Sequence, residues 1–322
     1  LVVGQDVSRE TMRRFDKTIS LEGKWRWSVD VVARALNALL MIAIPVVLGW
    51  YLARKFGVRW KLYLIGAVTF IAAQALHIPF NQFVLLPWLE GLEITGSGGG
   101  AGLVLFGLIV GLSAGVFEET ARYISYRTWA KEARTWEQGL MFGAGHGGIE
   151  AILLGVLAFI AFVQIMAMQG VDLSTVIPAE QLDLAEAQIE AYWALPWFGA
   201  MLGAVERGFA ICIQLLLSLL VLQAFLRKNM LWFVTAILWH MLVNAVAVVG
   251  LVTWGIYWVE ALVGVMACVS LGGVFYLKGK MPHQPEEEVI GNPEGGFAIE
   301  SARVPDEITT EHLDESRYSD DG

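Results

Sequence analysis

Phe117-Glu118-Glu119-Thr120-Ala121-Arg122-Tyr123, followed after a short basic stretch by Phe142-Gly143-Ala144-Gly145-His146-Gly147-Gly148-Ile149-Glu150, decides the fold. The sequence on either side stays apolar for longer than the roughly 18 residues that mark a spanning helix. The stretch therefore reads as the end of one membrane helix, a loop, and the start of the next. It places three carboxylates, a histidine and an arginine inside or beside apolar segments. A charged side chain at the bilayer centre costs at least roughly 2.5–3.5 kcal/mol, so such groups are rare and face a cavity or a partner. A hydrolytic site would account for them.

The rest of the chain agrees with a membrane protein. Of 322 residues, 56% are hydrophobic and 16% charged, with 13 Trp; the mean hydropathy is +0.58. The fold class expected is all-α, a polytopic bundle of about seven spans, near 31–53, 62–86, 101–124, 138–168, 194–226, 230–252 and 255–277. The fourth and fifth exceed the roughly 20 residues a span needs, which predicts tilt, a kink or an extra interfacial piece. Three regions follow: a polar extension over 1–30, a helical membrane domain over 31–280, and an acidic tail over 281–322, its prolines and few apolar residues reading as disorder. The net charge of −9 belongs to that tail, which holds 12 Asp and Glu against 2 Arg; the remainder, with 20 Lys and Arg and 19 Asp and Glu, is near neutral. No basic, aromatic-interleaved patch points to nucleic acid. Residues 1–30 lack the apolar core of a signal peptide, and Ser8 to Ile19 could form a short amphipathic helix. Cys212 and Cys268 lie in apolar runs and read as small core residues. Trp60, Trp88, Trp129, Trp136, Trp232 and Trp258 near the span ends read as interface anchors.

Orientation follows from the loops. Arg54, Lys55, Arg59 and Lys61 follow the first span, Arg122, Arg127, Lys131 and Arg134 the third, Arg227 and Lys228 the fifth, and Lys278 and Lys280 the seventh. Leu86–Gly100, Val171–Ala194 and the turn near Thr253 contain no Lys or Arg. Lys and Arg accumulate on the cytoplasmic side, so the alternation predicts a multi-pass protein of the cell membrane with its N-terminus outside and C-terminus cytoplasmic. Gly96–Gly102 reads as a flexible outer loop. Pro178 to Tyr192 favours helix and is expected to pack over the outer mouth.

This topology runs the third and fourth spans antiparallel, so Glu118 and Glu119 share a depth with His146. His240 falls near mid-depth of the sixth span, with Asn244 one turn on and on the same face. Arg122 can pair with Glu119 at i, i+3 or Glu118 at i, i+4; a structural ion cluster explains these three equally well. Lone histidines in a bundle are usually packing groups, but His240 with Asn244 offers two donors of the kind a metal or oxyanion site needs. The glycines around His146 permit close helix approach and could leave room for water or a substrate strand. Glu118 can serve as a base, His146 can bind water or metal, and His240 and Asn244 can complete a metal shell or an oxyanion hole. Glu150 can orient His146 or simply pack; Glu206 and Arg207 read as a mid-span pair bonded to neighbouring helices. His77-Ile78-Pro79-Phe80-Asn81 reads as packing or gating, with a kink at Pro79.

Glu118-Glu119-x-x-Arg122, Phe142-x-x-x-His146 and His240-x-x-x-Asn244 resemble the three ordered motifs of the CAAX-protease and bacteriocin-processing (CPBP) intramembrane endopeptidases. The wording is closer to the YhfC-type membrane peptidases, which show E-E-x-x-R-Y, G-H-G-G-I-E, an E-R pair and H-x-x-x-[ND]; here Gly145–Glu150 and Glu206-Arg207 stand in that order. The resemblance implies a glutamate-dependent membrane protease acting on a membrane-bound peptide or protein within the lipid bilayer. It assigns the site to Glu118, with Glu119 its paired carboxylate, His146, His240 and Asn244, with or without a divalent metal such as zinc held by His146 and His240. Arg122, Glu150, Glu206 and Arg207 would support it. Two departures stand out. The Glu pair and Arg122 are one residue closer than in the broader family, and Gln214 stands where the YhfC pattern often has a histidine. The alternatives are a proton-coupled transporter, against which no internal repeat is found, and a non-catalytic membrane protein whose polar cluster is structural.

Overall fold

The computed structural model describes residues 29–96 and 99–281, and every regular element among them is helical. The expected amphipathic segment at 8–19 and the acidic tail lie outside the described residues. Seven helical stretches are long and apolar enough to cross a membrane: Val29–Phe56, Trp60–Gly91, Gly100–Arg127, Trp136–Ala167, Trp197–Leu226, Leu231–Thr253 and Ile256–Lys278. In chain order α1 is Val29–Phe56, α2 Trp60–Phe80, α3 Leu86–Gly91, α4 Gly100–Arg127, α5 Trp136–Ala167, α6 Ala179–Ala194, α7 Trp197–Ala200, α8 Leu202–Leu226, α9 Leu231–Thr253 and α10 Ile256–Lys278. The seven expected spans are present with their ends moved by a few residues.

The long spans break where the local sequence demands it. Pro79 lacks an amide hydrogen and disfavours the regular ladder; two residues later the helix widens into a π-helical turn, Asn81–Leu85, before α3. The fifth span is divided into α7 and α8 at Met201. α5 starts on a capping box, in which Thr135 Oγ1 accepts from the Gln138 amide at 3.3 Å and Gln138 Oε1 accepts from the Thr135 amide at 3.1 Å. That reciprocal pairing satisfies donors a helix start leaves orphaned and fixes the origin of the helix that carries His146.

α5 and α8 hold the centre. α5 packs on α1, α2 and α8, and α8 also meets α4, α9 and α10. The most apolar window of α8 is 72% buried, against 17–33% in the other six spans. Large apolar side chains such as Leu76, Phe83, Leu231, Val265 and Phe275 point outward, as they should where the surrounding medium is hydrocarbon. Helix contacts are set by glycine. On α4, Gly107, Gly111 and Gly115 recur every fourth residue beneath α9: a methyl group at Gly111 would lie 2.5 Å from the Met241 carbonyl oxygen, and one at Gly115 2.8 Å from that of Ile237. Gly145 lies against the Tyr63 carbonyl and Gly66 against that of Phe142, which seats α2 on α5, while Gly143 and Gly147 meet Ser218 and Gln214 of α8. The glycines around His146 are thus occupied by neighbouring helices and open no space for a substrate.

Two expectations are revised, for Trp136 and for the cysteines. Trp136 is no interface anchor: it is buried and donates its indole N–H to the Val274 carbonyl at 2.9 Å. The two cysteines are not core residues, since Cys268 is exposed and Cys212 half-buried. The loop helix α6, which has no buried residue, is tied to α1: Arg34 donates to the carbonyls of Tyr192 at 2.6 Å and Leu195 at 2.7 Å and lies over the Tyr192 and Trp193 rings.

Candidate active site

The glycine-lined crossing of α4 and α9 brings Glu118 and Glu119 to His240, and the crossing of α5 brings His146. His146 Nε2 and Glu118 Oε2 are 3.1 Å apart. His240 Nδ1 donates to Glu119 Oε1 at 2.7 Å, which leaves Nε2 facing Glu118 Oε1 at 4.0 Å. Gln74, from α2, donates to Glu118 Oε1 at 3.0 Å. Arg122 pairs tightly with Glu119, lies 3.8 Å from Glu118, and donates its other terminal nitrogen to Gln214. Glu119, Arg122 and His146 are wholly buried, and Glu118 and His240 are nearly so. Glu119 Oε2, Arg122 Nε and His146 Nδ1 make no hydrogen bond among the described residues.

A cavity of about 360 Å³ opens beside this cluster. Glu118, His240 and Asn244 contribute to its wall, with Gln74 and His77 beside them and apolar groups such as Ala114, Val243 and Val248 around. Asn244 is half-buried and its amide is uncommitted among the described residues, so it remains available to something in the cavity. His146 does not reach the cavity; it approaches Glu118 from behind. A second polar group lies on the same wall. Arg207 donates to Glu150 at 2.7 Å and Glu206 at 2.5 Å, and Gln214 donates to Glu150 at 3.0 Å. Glu150 therefore turns to α8 rather than orienting His146. His77 accepts from Asn81 at 2.9 Å, and Asn81 accepts from Ser113 at 2.8 Å, so the π-helical turn anchors this side of the wall.

All five residues expected from the motifs are thus brought together or set around one cavity. The reading by residue type missed Gln74, and it treated Gln214 only as a departure from a pattern. Neither carries a charge, and a neutral amide in an apolar run gives no signal until its neighbours are known.

The geometry can be set beside known proteins. Residues 40–267 match the family model described as YhfC intramembrane metalloprotease. The chain belongs to the YhfC family. It is 35% identical over 247 residues to the membrane protein YhfC of Bacillus subtilis (strain 168), itself called uncharacterized, an alignment covering 75% of this chain and 93% of that protein. No solved structure matches the chain.

The family name raises the question of a metal. Among the described residues no three His, Cys, Asp or Glu side chains form a ready-made metal cluster. The donors nevertheless suit one by type. Two imidazoles turn Nε2 toward the same carboxylate, and Glu119 on Nδ1 of His240 is the kind of outer carboxylate that orients a ligating histidine. Their present spacing is that of direct hydrogen bonding.

Proposed function

We propose that this YhfC-family protein is an intramembrane endopeptidase that hydrolyses a peptide bond of a membrane-associated protein or peptide. The observation carrying this reading is the meeting of Glu118, backed by His146, with His240 on the wall of a cavity between helices, with the uncommitted Asn244 amide beside it. Amide hydrolysis needs a base for water and donors for the oxyanion. Glu118 Oε1, facing the cavity, takes a proton from a water held between it and His240 Nε2. The Asn244 amide donates to the oxyanion that forms on the carbonyl. Glu118 then returns the proton to the leaving nitrogen. Glu119 holds His240 so that Nε2 stays toward the cavity, and Arg122 balances the charge of Glu119. A divalent metal such as zinc would be held by His146 and His240, where it would make its bound water more acidic. The alternation of basic loops supports an N-terminus outside and a C-terminus in the cytoplasm, with Glu118 nearer the cytoplasmic face.

Burial shapes how this would work. Hydrocarbon excludes water from the outer faces of the bundle, so the reactant water must reach Glu118 through the cavity. A proton path through the same groups is disfavoured, because the polar chain passes through Arg122 and Arg207, and a guanidinium does not give up its proton. The test compares membrane-protein fragments from cells expressing the wild type, Glu118→Gln and His146→Ala at equal folded levels. Products that appear with the wild type alone support the reading, and identical fragments from all three overturn it.

A further inference from the structure

Gln214 occupies the middle of the polar network. It is 6% exposed, and its two ends are used differently: Oε1 accepts from Arg122, and Nε2 donates to Glu150 Oε2 at 3.0 Å. Glu150 is in turn fixed by Arg207 at 2.7 Å. A continuous series therefore runs from Arg207 through Glu150, Gln214, Arg122 and Glu119 to His240 Nδ1. No other residue links the two charged groups by accepting from one and donating to the other, among the hydrogen bonds of the described residues. An amide is suited to this place. A carboxylate would repel Glu150, and an alkyl chain would leave a nitrogen of the buried Arg122 without a partner and Glu150 Oε2 without its amide donor.

We propose that Gln214 is a positioning residue for hydrolysis at Glu118. This rests on the peptidase reading for its activity readout. By anchoring Arg122 from the side opposite Glu119, it fixes the guanidinium, which fixes the Glu119 carboxylate and keeps the proton of His240 on Nδ1. His240 Nε2 then stays an acceptor directed at the water beside Glu118. Without the anchor, Arg122 can turn toward Glu118, already 3.8 Å away, and Glu119 loses its hold on the imidazole. The loss would appear in turnover rather than in substrate binding, because Gln214 supplies the orientation of the reacting groups.

The experiment uses the full chain in lipid nanodiscs with ¹⁵N-labelled histidine, comparing wild type, Gln214→Leu and Gln214→Glu, with the His240 signals assigned by their loss in His240→Ala. Nitrogen shifts distinguish protonated from bare ring nitrogens. The wild type is expected to show His240 protonated at Nδ1 and bare at Nε2. Gln214→Leu should mix the two tautomers, and Gln214→Glu, which keeps an acceptor for Arg122 but sets a like charge beside Glu150, should mix them less. On a peptide identified by the fragment comparison, kcat should fall roughly 10–100-fold in Gln214→Leu with KM within about twofold, the size seen when an outer partner of a site histidine is removed. An unchanged tautomer in folded Gln214→Leu overturns the proposal. So does Gln214→Glu behaving like Gln214→Leu. Because the nitrogen signals need no turnover, absence of peptidase activity in the wild type would sink the functional reading and still leave the positioning role decided.

Discussion

Arg122 and Glu119 show what burial does at the residue scale. Both are wholly enclosed, and each is the other's charge partner. Removing one side of such a pair leaves an uncompensated buried charge, at a cost of about 3–5 kcal/mol. Arg122→Met should therefore lower the unfolding midpoint markedly in detergent titrations, and the double change Arg122→Met with Glu119→Gln should recover much of the loss. Glu118→Gln is expected to behave oppositely: its amide oxygen still accepts from Gln74 and its NH2 meets the His146 ring nitrogen, so the fold survives while turnover falls by about 10³-fold or more, the size of effect expected when a principal catalytic group is lost. A Glu118→Gln protein that cleaves at the wild-type rate would remove Glu118 from the proposed chemistry. At this scale the charged residues were legible, because a carboxylate or histidine in an apolar run is costly and must have a partner. Their pairings were only partly so. Equal depth on antiparallel helices foretold the meeting of Glu118 and His146, and helical spacing foretold that Arg122 would pair with Glu118 or Glu119 without choosing between them. Nothing in the local sequence told that Glu150 would face Arg207 and Gln214, since that depends on how α8 is rotated.

Helix crossings govern the site at the scale of elements. A methyl group at Gly111 would press on the Met241 carbonyl, and one at Gly145 on the Tyr63 carbonyl, while Gly272 has nothing within 4 Å of a new Cβ. Backbone contacts cannot yield as a flexible side chain can, so Gly111→Ala and Gly145→Ala should reduce folded yield, and whatever folds should hold Glu118 and His240 or His146 further apart. Gly272→Ala should be neutral or stabilise by up to about 1 kcal/mol through helix propensity. Thermal scans of the three variants decide this, and equal midpoints would contradict the packing account. The glycine pattern was visible in the sequence, but its use was not. The same small residues can leave a gap or admit a neighbouring helix, and here the neighbours fill them. A break in the regular helix near Pro79 was readable because proline removes a specific hydrogen bond. The π-helical turn that places Asn81 beside His77 and Ser113 was not, since it depends on contacts with α4.

At the scale of the whole molecule, seven spans pack with α8 buried among the other six. Span number and class followed from hydropathy alone, because only a helix satisfies its backbone within a single segment in hydrocarbon. Which span would be central could not be read, since a helix buried in protein and one facing lipid are both apolar all round. The loop charges predict sidedness. With Cys212 and Cys268 replaced by Ala, a cysteine placed at Thr175 should react with a membrane-impermeant maleimide on intact cells, and one placed at Lys131 only after permeabilisation. The reverse pattern would invert the topology and put Glu118 near the opposite face.

Hydrolysis leaves a mark that binding or transport does not. Wild-type protein and Glu118→Gln would be reconstituted separately and incubated with a protease-inhibited membrane fraction in H₂¹⁸O, and the new C-termini analysed by mass spectrometry. A Glu118-dependent peptidase predicts fragments whose new carboxyl groups carry ¹⁸O with the wild type and no such fragments with Glu118→Gln. Fragments of equal abundance from both proteins, or no ¹⁸O-bearing termini from the folded wild type, would contradict the claim that this buried cluster cleaves peptide bonds.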